Sequence, residues 1–106
     1  MVTMDQIING TMAYYEAEIA QKATGVGKFA AYFALPSIPK IIRSKADALR
    51  ASPLTADLIN ADGLVDLEAV KERATQAMQH CGSVDVMGFR LGQADIDQLY
   101  NAIRRA

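Results

Sequence analysis

The chain has 106 residues, 51% of them hydrophobic and 22% charged, which suits one small domain and excludes a disordered tail. Eleven Lys/Arg against twelve Asp/Glu leave a formal charge of −1, so there is no global attraction to nucleic acid or acidic lipid. The single cysteine, Cys81, excludes an intramolecular disulfide and suits a reducing compartment.

Much of the apolar content is alanine, which buries little area, so a small core helped by self-association is expected. Residues 1–50 carry six Lys/Arg against four Asp/Glu, and residues 51–106 carry five against eight. That imbalance suits head-to-tail contacts between copies. Met1-Val2-Thr3-Met4-Asp5 has neither the basic start nor the apolar stretch of a signal peptide, so a cytoplasmic location is expected. The longest apolar run, Phe29 to Leu35, is far below the ~20 residues that cross a bilayer.

In chain order, residues 4–22 read as a helix, because Met4, Ile8, Met12, Tyr15 and Ile19 recur every three or four positions. Asp5, Glu16 and Glu18 are its acidic polar positions. Gly10 inside it costs about 1 kcal/mol relative to Ala, which points to a kink or to close packing. Asn9-Gly10-Thr11 matches a glycosylation sequon but lacks the secretory context to use it. Thr24 to Gly27 is a loop, residues 28–34 resume as an apolar helix, and Pro36 interrupts. Pro39 fits the first turn of a helix over 38–50, with Ser37 as its cap. Ile38, Ile41, Ile42, Lys45 and Leu49 lie along one side of that helix; Lys40, Arg43, Asp47 and Arg50 lie along the other. Ser52-Pro53 starts a short helix to about Ile59, Asn60 to Gly63 turns the chain, and Leu64-Val65 is extended.

Asp66 then caps a helix over 67–80, with Leu67, Val70, Ala74, Ala77, Met78 and Cys81 on one face and Gly82 as its stop. Residues 83–91 alternate about Met87-Gly88 and read as a β-hairpin, to which Leu64-Val65 could add a third strand. A last helix runs from about Ala94 to Arg105 on Ile96, Leu99, Tyr100 and Ile103, with acids at its start and arginines at its end as the helix dipole favours. The expected fold class is therefore α+β. It is a single domain over 1–106, with a helical half to residue 50 and a helix-hairpin-helix half after it. Val84, Val86, Phe89 and Leu91 are expected to pack on the last helix.

The motifs that suggest chemistry are each outweighed by a structural reading. With Gly63 at the sixth position of an EF-hand loop, Asn60 and Asp62 fall on ligand positions. Leu58 and Ala69 then occupy the first and twelfth, where side-chain carboxylates are needed. His80 and Cys81 are neighbours on a helix and point apart. Gly25-Val26-Gly27-Lys28 lacks the spacing and the Ser/Thr of a phosphate loop. No cofactor, metal or catalytic residue is assigned.

Two features remain. Lys40, Arg43, Lys45 and Arg50 could touch phosphates, although Asp47 sits among them and no nucleic-acid motif accompanies them. The stretch over residues 26–42 carries an apolar surplus. Phe29, Tyr32, Phe33, Leu35, Ile38 and Ile42 become a self-association surface if they are exposed.

Gly25 to Phe29, Asp62-Gly63-Leu64-Val65-Asp66 and Asp95-Ile96-Asp97-Gln98-Leu99-Tyr100 together resemble small proteins encoded by phages and prophages of Gram-positive bacteria. The resemblance covers most of the chain in order. It implies no activity and no cofactor, and it places the protein in a host cytoplasm with an assembly or host-interaction role. The expected function is that of a non-enzymatic, self-associating interaction protein. The alternative is a small regulatory module that binds nucleic acid through residues 40–50.

Overall fold

The computed structural model describes residues 1–22, 25, 32–81, 84–86 and 89–106. Helix α1 spans Met4–Lys22. Helix α2 spans Ile38–Ala51 and α3 spans Leu67–Cys81. Helix α4 spans Gln93–Arg105. Short 3-10 turns, Leu35–Ser37 and Ala56–Leu58, precede and follow α2.

The fold is all-α, which corrects the α+β class expected from the sequence. The core is made by helices packed on helices. Val84–Val86 pairs antiparallel with Phe89–Leu91, Val84 opposite Leu91 and Val86 opposite Phe89. A ribbon of two such short segments forms no layer against which helices could stack. Residue alternation reports a local period, whereas fold class depends on which elements supply the core. The expected packing of Val84, Val86, Phe89 and Leu91 concerns side chains outside the described ones. So do the turn at Met87-Gly88, the stop at Gly82 and the first residues of the 28–34 helix, Phe29 among them. Gly25, the one described residue of the loop expected over Thr24 to Gly27, is helical in assignment with a left-handed φ of +60°, which only glycine adopts without strain.

Thr3 caps α1 by accepting from the Gln6 N–H through Oγ1 at 3.0 Å. The apolar spacing then sets the buried face: Ile8, Tyr15 and Ile19 are buried, and Met12 packs against the core. Of the acidic polar positions, Glu18 is buried. Gly10 is where α1 crosses α4. A Cβ there would lie 2.3 Å from the Ile103 Cα and 2.7 Å from its backbone nitrogen. One turn earlier, the Gln6 amide donates to the Ile103 carbonyl at 3.0 Å, which also accepts the Ala106 N–H at 3.2 Å at the end of α4.

Helix α2 begins without the expected cap. Pro39 does sit in the first turn, but Ser37 keeps a helical backbone and its side chain makes no capping hydrogen bond. The 3-10 turn runs straight into the helix and supplies its first backbone geometry instead. At the other end, the Thr55 hydroxyl donates to the Leu49 carbonyl at 2.8 Å and ties off the last turn. The Ser52-Pro53 signal yields a turn and the short 3-10 segment, not a longer helix.

The Asn60–Gly63 turn is held by the Asn60 side chain, whose Oδ1 accepts from the N–H groups of Asp62 and Leu64, both at 2.9 Å. Gly63 supplies the left-handed residue at φ +79°. Val65 leaves this turn extended. It pairs with Ile59 and, through two backbone hydrogen bonds of 2.8 and 2.9 Å, with Val2. It therefore pins the start of the chain and does not extend the 84–91 ribbon as expected. Asp66 caps α3 as expected, accepting from the Ala69 N–H at 3.2 Å. Helix α4 starts at Gly92, whose N–H donates to Asp95 Oδ2 at 3.0 Å.

The buried residues form two clusters. The larger joins Tyr14, Tyr15, Ile38, Leu67, Met78, Ile96, Tyr100 and Ile103 from α1, α2, α3 and α4. The smaller joins Ala46, Leu58, Ile59 and Val65, and Val2, Ile7 and Val70 pack against both clusters. The ion pairs Lys71–Asp97 (3.4 Å) and Glu68–Arg104 link α3 to α4 at the surface. Each such exposed pair is worth about 0–1 kcal/mol, so burial and not charge holds the fold.

Gly10→Ala is expected to lower the free energy of unfolding by about 1–3 kcal/mol, despite the ~1 kcal/mol better helix propensity of alanine. Urea denaturation measures it; an equal or higher midpoint would show that α1 and α4 do not meet through their backbones.

Candidate functional site, an apolar cleft and an exposed aromatic pair

Helix α2 carries most of the sequence-marked residues, and its rotation decides what each can do. Lys40, Arg43, Asp47 and Arg50 share its outer face, at helical spacings of three and four. Arg43 is bound to Asp5 of α1 at 3.2 Å, and Arg50 lies 3.7 Å from Asp47. Lys45 lies on the other side, among Ile41, Ile42 and Leu49. The four cations therefore do not converge on one surface, and two of them already face carboxylates.

The six apolar residues marked for self-association also divide. Ile38 is fully buried in the larger cluster and is unavailable to a partner. Leu35 and Ile42 pack on that cluster from its edge. Tyr32 is 38% exposed and Phe33 is 80% exposed. Phe29 lies outside the described residues. The expected patch thus reduces to the adjacent pair Tyr32 and Phe33, immediately before the 3-10 turn that leads into α2. A large aromatic held that far in water is uncommon in a chain whose other described aromatics, Tyr14, Tyr15 and Tyr100, are buried.

Between the two core clusters is a cleft of about 260 Å³. Met4, Ile7, Thr11 and Tyr15 of α1 form one wall, and Ile41, Ile42, Ala46 and Leu49 of α2 form the other. Ile59, Val65, Val70 and Leu99 close it from below. Lys45 is exposed at its edge, and no carboxylate lines it. Sequence reasoning did not find this cleft, because its walls come from every part of the fold. The one local sign is a lysine inside the apolar stripe of α2.

A second, more polar hollow of about 430 Å³ lies between α1 and α4, with Tyr14, Glu18, Gln21, Gln98 and Arg105 along it. The Tyr14 hydroxyl is buried with no hydrogen-bond partner among the described residues. Its ring stands edge-on to Tyr15, with centroids 5.3 Å apart. Burial, with the nearby charges of Glu18 and Asp95, pushes the Tyr14 phenol up to about 12. Burial alone pushes Tyr100 up to about 12.

The turn at 60–63 is structural in this geometry. Asn60 Oδ1 is already shared by two backbone donors, which satisfies it as a turn acceptor. Among the described residues, no three His, Cys, Asp or Glu side chains are grouped to hold a metal ion. No helix among them is long and apolar enough to cross a membrane. Comparison of the chain with protein-family models, with curated proteins and with solved structures gives no match.

The two phenols fix an alkaline limit. Each has a pKa near 10 in the unfolded chain and about 12 in the fold. Their ionisation therefore favours the unfolded state only above the lower value. Stability is expected to hold up to about pH 10, to fall between about pH 10 and 12 by at most about 1.4 kcal/mol per pH unit per tyrosine, and then to level. Tyr14→Phe removes one of these two losses. It also removes an unpartnered buried hydroxyl, and so should raise stability at pH 7 by about 1 kcal/mol. Urea midpoints at pH 7, 10 and 11.5 test both statements; a variant less stable at pH 7 would mean that the hydroxyl is hydrogen-bonded.

Proposed function

We propose that the protein is a non-enzymatic interaction and assembly protein that self-associates through the surface around Tyr32 and Phe33. The 80% exposure of Phe33 carries this reading. Burying a phenylalanine side chain contributes about 1.5–3 kcal/mol, which a contact with another chain would recover. The partner is a second copy. The acidic surplus of residues 51–106 complements the basic surplus of residues 1–50, which contain the aromatic pair. The proposal extends to an assembly protein of phage or prophage origin that acts inside a host cytoplasm.

Light scattering on a size-exclusion column, across a wide range of concentration, tests this reading. The wild-type chain should rise in molar mass with concentration, and Phe33→Ser should weaken that association about tenfold or more. Because Phe33 lies outside both core clusters, the variant should keep its helix content and its urea midpoint. A wild-type monomer at every concentration would sink the proposal.

A further inference from the structure

We propose that the cleft between α1 and α2 binds the hydrocarbon chain of a free medium-chain carboxylate, with Lys45 receiving the head group. The cleft lies where the two core clusters fail to merge: Tyr15 and Ile42 belong to one side, Ala46 and Val65 to the other. A dry cavity of about 150 Å³ lined by aliphatic and aromatic side chains takes a benzene ring, and pockets for drug-sized molecules begin near 300 Å³. At about 260 Å³, this one suits a slender apolar group between those sizes. Its lining runs from Met4 to Tyr15 on α1 and from Ile41 to Leu49 on α2, about three and two helical turns, a length that an extended hydrocarbon chain can follow.

The charge at the mouth selects the head group. Lys45 lines the cleft, is exposed, and has no carboxylate paired with it among the described residues. Its methylene stem can follow the apolar wall while the ammonium stays in water, where an anionic head group would meet it. With no Asp or Glu in the lining, nothing in the cleft opposes an anion. A positively charged or doubly polar ligand gains no such contact.

Calorimetry and amide NMR on the full chain test the proposal, with decanoate below its micelle concentration, 1-decanol and butyrate as probes. Decanoate should bind saturably at one per chain and shift the amides of Ile42, Ala46 and Val65, while butyrate should not bind. Lys45→Ala should weaken decanoate up to about fivefold, as an exposed charge pair allows, and leave 1-decanol unchanged. Ala46→Leu should fill the cleft and weaken both ligands about tenfold or more. If that variant does not fold, the Lys45 comparison still decides. The absence of saturable decanoate binding to the wild-type chain, or identical decanoate affinity in wild type and Lys45→Ala, would overturn the proposal.

Discussion

The backbone contact between α1 and α4 at Gly10 and Ile103 is the constraint on which the rest of the structure depends. Any residue with a Cβ at position 10 would place that atom 2.3 Å from the Ile103 Cα, inside the backbone of α4. The missing side chain lets the helix axes approach closely enough for Tyr14 and Tyr15 to share one core with Ile96, Tyr100 and Ile103. The Gln6 amide on the Ile103 carbonyl fixes the same crossing from the side. A glycine that weakens an isolated helix thus stabilises the assembled one, because packing recovers more than propensity loses.

With that crossing set, α2 and the 59–65 segment are placed against the remaining side of α1. Val65 bonds to Val2 at the start of the chain and lies opposite Ile59 across the turn, where the Asn60 and Asp66 N–H groups donate to the Leu64 and Leu58 carbonyls, and this small three-part bridge supplies Ile59 and Val65 to the second core cluster. The two clusters are joined at their edges by Val2, Ile7 and Val70 but do not fuse, and the apolar cleft is the space between them. The chain's alanine-rich composition has a direct part in this. Ala46 stands in the cleft wall where a larger side chain would close it. A core this small leaves the cleft between its two clusters and leaves Phe33 80% exposed.

Helix α2 therefore divides by side: one carries Ile38 into the core with Ile41, Ile42 and Lys45 at the cleft beside it, and the other carries Arg43 and Arg50 to the acids beside them. Tyr32 and Phe33, before the Leu35–Ser37 turn, line no part of the cleft.

The sequence by itself placed α1, α2, α3 and α4 to within one residue at each end. The apolar spacing of Met4 to Ile19 marks α1 to the residue, and Asp66 and the dipole-matched charges of α4 act within a turn or two, so local chemistry suffices for them. The Asn60–Gly63 turn was legible for the same reason. The α+β class, the Ser37 cap and the placing of Val65 in the hairpin were misread, because each depends on which distant segment a residue meets. Only the tertiary structure decided that Gly10 is a crossing point and not a kink, that Ile38 is core while Phe33 is surface, and that Lys45 stands apart from the other cations of α2. A periodic pattern fixes which residues share a face, but it does not say how much of that face another element covers. That coverage, summed over contacts far apart in the chain, also makes the cleft, and no window of sequence contains it.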